Sequence, residues 1–322
     1  MTISVSIYQS SFEQEWDRYV RQANNGTLFH LRRFLTYHPL DRYKDHSLVF
    51  TGPKGLLGLF PAAEQEVNQE RQLVSHPGAS YGGPVTPVGL TFQGSYDLVE
   101  SLTGYARKAE FQRIILTLPP TIYNRRLSNY IDFSLLQHGF TYLRREVSSI
   151  LFLEQEPEEN LAKFMDSSRR AVRKARNSGV EIRFSEDYKS FYQILLHNLK
   201  RRHNVQPTHT LDELLQLADL FPDDIHLLAA YLNDRMIAGI TIFNTTPDVT
   251  LAFYISHDEA YQQYRAVNLL FYEMIRWAIE TGFRYLDFGI FTVYMKPNFG
   301  LARFKESFGA SGMFRDTLEI QL

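Results

Sequence analysis

The 322-residue chain contains no cysteine, which excludes disulfides and every metal or redox centre built on thiolate ligands. It has no apolar run of the ~18 residues that a membrane-spanning helix needs. Its first 30 residues hold no apolar core of the kind that marks a secretion signal. These absences set the expectation of a soluble, cytoplasmic protein, with a peripheral membrane contact left open. An excess of one charge is missing too: Lys and Arg total 34 against 36 Asp and Glu, a formal net charge of −2, whereas a general nucleic-acid binder is usually basic overall. An anionic partner would therefore be met at one place.

What is abundant is core-forming material. Apolar residues make up 44% of the chain, with 24 Phe and 19 Tyr, and a chain so composed is not expected to be disordered. Its length exceeds the roughly 100–200 residues of a usual domain, so two packed domains or a duplicated unit are expected. Phe12, Trp16, Tyr19, Val20 and Ala23 recur at helical spacing before Gly26. Short β-like runs follow at "HSLVF", "GLLGLFPAAEQ" and "QLVSH". After the Gly- and Pro-rich "HPGASYGGPVTPVG", helix and strand alternate in each half, and "KAEFQRIILTL" lies over "ETGFRYLDFGI" as a weak internal repeat. The pattern predicts an α/β (α+β) protein of two tandem domains, covering residues 1–155 and 156–322 with a boundary in the acidic "EQEPEEN".

Lys163, Arg169, Arg170, Arg173, Lys174 and Arg176 stand against one acid, Asp166. From Leu161 the apolar positions Phe164, Met165, Ser168, Val172 and Ala175 keep the i, i+3, i+4, i+7 rule up to the Gly179 stop. This predicts one amphipathic helix with a cationic face. Charges of a single sign are not explained by i,i+4 ion pairs, and the Arg fork suits phosphate; a merely solvated face is the alternative. A second cationic cluster, Lys200 to His203, follows on the next helix.

Four segments in order, "RRAVRKARNSGVEIR", "VTLAFYISH", "AVNLLFYEMIRWAIETGFRYLDFG" and "LARFKESFGA", resemble the Fem-type branch of the GNAT acyltransferase superfamily. The resemblance spans residues 160–310 and reaches the first half through topology and "GTLFHLRRFL". It implies two GNAT-like domains, each a twisted mixed β-sheet flanked by helices, with the donor site in the C-terminal copy. Ordinary GNAT enzymes hold the donor pyrophosphate in a Q/R-x-x-G-x-G/A loop at the start of the long helix, but "YQQYRAVNLL" has no glycine there. The resemblance still implies donor or phosphate contacts at Tyr264, Arg265 and Asn268, and at Arg170, Arg173 and Lys174 of the basic helix. The stretch from Phe191 to Asp224 is too short for the helical-hairpin insertion common in tRNA-using members. That favours acyl-CoA (acetyl-CoA) as co-substrate and keeps aminoacyl-tRNA open.

N-acyl transfer needs a deprotonated amine, a positioned acyl carbonyl and donors for the developing oxyanion. On the resemblance, Tyr254 near the end of "VTLAFYISH" is a candidate acid or base, although it is equally a packing aromatic. His257 reads as a surface-loop residue. Lys305 matches the lysine of the branch's F-K-x-x-F-G motif and would stabilise transition-state or phosphate charge. Asp287 would orient a substrate amine or cap the following turn. His203, His209 and Tyr81 are candidates for the acceptor wall, and no metal site is expected. The implied activity is acyl transfer to a small-molecule or nucleotide-linked amine of a cell-envelope or polysaccharide precursor. A retired double-GNAT module that binds tRNA or a protein partner is the rival, and the oligomeric state is left open.

Overall fold

The computed structural model describes residues 3–39, 41–203 and 206–322, with the backbone alone for residues 201–203. The chain forms two compact units, Met1–Glu146 with Phe314–Leu322, and Val147–Met313. Compared with a simple division at residue 155, Phe314–Leu322, with most of the last strand, belongs with the first unit, and residues 147–155 with the second.

The first unit opens with β1 (Ser4–Ile7), α1 (Glu13–Gln22) and the short α2 (Arg32–Leu35). Next come β2 (Lys44–Asp45), β3 (Leu48–Gly52), β4 (Gly55–Phe60), β5 (Ala62–Val67) and β6 (Glu70–Ser75). It continues through α3 (Phe92–Lys108), β7 (Arg113–Thr117) and α4 (Tyr130–Gln137) to the long β8 (Thr141–Phe152). Strands β1, β3 and β4 form a small antiparallel sheet. A second sheet pairs β2 with β5, β5 with β6, β6 in parallel with β7, and β7 with the chain's last strand. Helix α3 starts at Thr91, whose hydroxyl accepts from Gly94 N–H. It buries Leu98, Val99 and Leu102 in a cluster with Phe50, Phe60 and Ile114.

In the second unit the expected helix from Leu161 is two helices, α5 (Pro157–Ala162) and α6 (Asp166–Asn177). Met165 between them is extended (φ −60°, ψ 151°) and exposed, because its N–H bonds Ser307 O instead of continuing the helical ladder. Then follow β9 (Glu181–Phe184), α7 (Tyr188–His203), α8 (Leu211–Leu220), β10 (Ile225–Leu232), β11 (Arg235–Asn244) and β12 (Val249–His257). The chain ends with α9 (Ala266–Thr281), β13 (Tyr285–Ile290), a hairpin of β14 (Thr292–Val293) and β15 (Lys296–Pro297), α10 (Phe299–Glu306) and β16 (Ser311–Gln321).

The sheet of this unit runs β8-β13-β12-β11-β10-β9, antiparallel except for β12 with β13. Strands so apolar on both faces require cover on both. Helices α6 and α9 bury Val172, Ala175, Leu269 and Leu270 against Ile240 and Ile242. On the opposite face, Phe191 and Leu195 of α7 and Leu214 of α8 meet Leu227 and Ala229. Among the described residues no helix is long and apolar enough to cross a membrane.

Candidate active site

Strands β12 and β13 are paired only from Val249↔Tyr285 to Leu251↔Asp287. Beyond that point β12 stays with β11 as far as His257, while β13 bends toward β8 through an irregularity between Asp287 and Ile290. Gly289 sits at this bend with φ +73°, a backbone state that glycine adopts without strain. The two strands therefore part, and one edge of β12 is released from its ladder.

A cleft of about 580 Å³ lies beside this divergence, walled by the end of β12, the start of α9, α7 and α10. Ile237, Ile255 and Phe271 supply apolar wall, and Asn198, Arg265 and Lys305 supply polar groups. None of the described lining residues is an Asp or Glu.

Lys305 is 3% exposed. Its Nζ donates to Gly289 O at 2.7 Å and to Ile290 O at 2.9 Å, the two carbonyls that the bend of β13 turns toward α10. Burial pushes the ammonium down to about 8, while the Asp287 charge pulls the other way. Asp287 is fully buried; its Oδ1 accepts from Ser148 Oγ at 2.5 Å and from Gly289 N–H at 2.7 Å. The carboxylate thus caps the turn that presents the lysine's acceptors, and it does not line the cleft.

A 3-10 turn, Glu259–Tyr264, leads to the start of α9. Arg265 there is left-handed (φ 59°, ψ 30°), and no side chain caps the helix. The opening N–H groups of a helix have no intrahelical partner, so this end attracts an anion through them and through the helix dipole. Arg265 and Asn268 line the cleft; Tyr264 does not, and its ring leans on Tyr261 at 6.0 Å.

The remaining sequence-predicted residues lie elsewhere. Arg170, Arg173 and Lys174 are exposed on α6 outside the cleft. On the same stretch Lys163 pairs with Glu154, Arg169 with Asp166 and Arg176 with Glu273. Tyr254 packs with the α7–α8 cluster. Its hydroxyl meets Nδ1 of buried His209 at 2.9 Å and accepts from the His209 N–H at 3.2 Å. Burial pushes this phenol up to about 12, so near neutral pH it is a hydrogen-bond donor and no base. Tyr81 is buried in the first unit between Phe29 and Tyr123. The side chain of His203 lies outside the described residues.

One polar residue of the cleft wall was invisible to pattern reading. Asn198, buried on α7, donates through Nδ2 to Ser256 Oγ and to His257 O, both at 2.7 Å. Its Oδ1 is buried at the cleft wall with no hydrogen-bond partner among the described residues. Such an orphan acceptor calls for a ligand or water to satisfy it. An isolated Asn on a helix carries no sequence signal for this.

The first unit has its own cleft, of about 430 Å³, with Asn124, Arg126, Tyr130 and Asp132 among its walls. Burial raises the Asp132 carboxyl above its usual range. No sequence-predicted residue falls there.

A family model described as an acetyltransferase (GNAT) domain matches residues 162–306. No curated protein matches the sequence. Among solved structures, FemX is similar over 99% of this chain and 97% of its own, with a TM-score of 0.77 at 14% identity. L-PGS from Bacillus licheniformis is similar over 95% and 90%, with a TM-score of 0.61 at 12% identity. A tandem GNAT protein from the clavulanic acid biosynthesis pathway is similar over 99% and 98%, with a TM-score of 0.57 at 9% identity. At such identities the likeness is one of fold.

Proposed function

We propose an N-acyltransferase that moves an acyl group from acyl-CoA to an amine, a reading supported by the match of residues 162–306 to an acetyltransferase (GNAT) domain model and by the likeness of the fold to FemX and to a tandem GNAT protein. The amine is carried by a small or nucleotide-linked cell-envelope or polysaccharide precursor, and the chemistry takes place in the cytoplasm. The observation that carries the choice of donor is the charge of the cleft: Arg265, Lys305 and the open start of α9 on its walls, and no carboxylate among its described lining residues. Phosphates of a CoA find cations and N–H donors there. The α-ammonium of an aminoacyl donor would enter a partly apolar cleft with no counter-ion, which is costly.

In this reading the thioester lies where β12 leaves β13. Asn198 Oδ1 accepts an N–H of the ligand. The acceptor amine attacks the acyl carbon, the carbonyl electrons move onto oxygen, and the Lys305 ammonium stabilises that oxyanion with the proton its two carbonyl contacts leave unspent. Collapse of the intermediate expels the CoA thiolate, and the proton lost by the amine passes to solvent or to the thiolate. Asp287 keeps the Gly289 turn in place so that Lys305 is aimed. No covalent enzyme intermediate is required.

The exposed cations Arg170, Arg173 and Lys174 favour a second reading, a polyanionic donor such as aminoacyl-tRNA held across α6. Calorimetric titration separates the two. Saturable micromolar binding of acetyl-CoA at moderate salt supports the thioester donor. No heat with acetyl-CoA, together with tRNA binding that falls steeply with salt, would replace it by the second reading.

A further inference from the structure

Eight consecutive residues, Val293 to Gly300, are exposed beside the mouth of the cleft. They comprise the tip and return strand of the β14–β15 hairpin and the start of α10, whose Asn298, Gly300 and Leu301 line the cleft. Within them Val293 is 61% exposed, Tyr294 72%, Met295 57% and Phe299 74%. Large apolar side chains grouped so closely on a surface mark an interaction site more often than chance exposure does.

The backbone adds a second observation. The hairpin pairs Thr292 with Pro297 and Val293 with Lys296, so Tyr294 and Met295 form a two-residue turn with φ +49° and +60°. Positive φ at both positions is the type I′ arrangement that Asn-Gly adopts readily. A Tyr-Met pair adopts it under strain, and the turn leaves both side chains largely exposed. The base of the hairpin is firmly held: Thr292 is buried, its Oγ1 accepts from Val147 N–H at 2.9 Å, and Asn298 N–H bonds Phe291 O at 2.9 Å.

Charge supplies the third. From Phe288 to Phe304 the sequence holds the exposed Lys296 and Arg303 and no Asp or Glu, in a protein whose overall charge is slightly negative. Aromatic and aliphatic side chains at a tip, flanked by cations without acids, match the interface of an anionic bilayer: rings and methyls enter the headgroup boundary, and the cations stay with the phosphates.

We propose that the β14–β15 hairpin, beside the mouth of the cleft, is a docking element for an anionic phospholipid surface. The test is co-sedimentation of the full chain with vesicles of neutral phosphatidylcholine, and of phosphatidylcholine with about one-third phosphatidylglycerol, at moderate and high salt. The wild type is expected to partition onto the anionic vesicles at least tenfold better than onto the neutral ones, and less so in high salt. The paired change Tyr294→Asn and Met295→Gly installs the residues that the turn prefers and so keeps the hairpin folded; it should lower anionic-vesicle binding at least fivefold. Lys296→Glu should lower binding to anionic vesicles only. Absence of wild-type binding, equal binding to neutral vesicles, or an unchanged partition of the Asn-Gly variant would overturn the proposal, the last by moving any adhesion to another surface. No acyl donor is present in this measurement, and acetyl-CoA binding of the variant is checked without vesicles. The docking proposal and the acyl-transfer proposal therefore stand or fall separately.

Discussion

Replacing Lys305 by Met tests the centre of the chemistry and separates it from the lysine's place in the fold. The fall of the ammonium from 10.5 to about 8 corresponds to about 3 kcal/mol by which burial disfavours the charged form. Between these two values the unfolded chain binds a proton that the folded chain has released, so stability rises with pH across that window, and below pH 8 the folded protein bears the full cost. Met removes this cost but leaves Gly289 O and Ile290 O without their donor, a loss of about 1–3 kcal/mol each. The opposing effects leave a net change at pH 7 between a gain of about 1 and a loss of about 3 kcal/mol, read by urea denaturation. Activity should behave otherwise: loss of one oxyanion donor costs roughly 10²–10³ in kcat. The assay is thiol release from acetyl-CoA with a panel of primary amines, followed from pH 6 to 10. The wild-type kcat/KM should fall on an alkaline limb near pH 8, as Lys305 gives up its proton, and the Met variant should have no such limb. A variant destabilised by more than about 4 kcal/mol, or one that keeps both rate and alkaline limb, would refute the assignment and make Lys305 a structural residue.

Asp287→Asn keeps an oxygen for Ser148 and Gly289 but removes the charge that supports the Lys305 ammonium. The alkaline limb of kcat/KM should move to lower pH with little change in rate at pH 6.5. Arg265→Gly places glycine at a left-handed position, which should raise stability by about 1 kcal/mol in thermal denaturation. On the proposed function the same change should weaken acetyl-CoA severalfold by calorimetry, because the cleft loses a guanidinium that would meet the donor phosphates.

Lys305 could be singled out in the sequence through its match to the F-K-x-x-F-G motif, and the flanking Phe304 and Phe308 give a physical reason for the burial that the structure shows. Order and type of the long elements were legible for a related reason, since hydrophobic periodicity over 8–17 residues outweighs local noise. Interruptions were not. Leu161 to Ala175 keeps a helical period throughout, yet the Met165 N–H finds Ser307 O, a partner more than a hundred residues away, and that tertiary bond divides the helix. The cations counted as one face are then divided as well, some paired to acids on other elements and some left to solvent.

Tyr254 shows how a single residue redirects a site. In β12, Ala252 faces α9, and strict alternation would put Tyr254 on the same face, toward the cleft. The register with β11 slips instead: Thr241 opposes Tyr254 while Ile242 opposes Ala252, so Phe253 is an extra residue in the ladder. A bulge of this kind inverts every side chain that follows. Ile255 then takes the α9 face and the cleft wall, and Tyr254 turns to His209 among the α7–α8 residues. The same slip turns Ser256 toward α7, where it anchors Asn198. One unpaired residue thus removes a tyrosine from the cleft and, on the proposed function, brings to its wall a buried amide oxygen that recognises the ligand. Periodicity cannot report it, because bulges are defined by pairing across strands and not by the sequence of one strand.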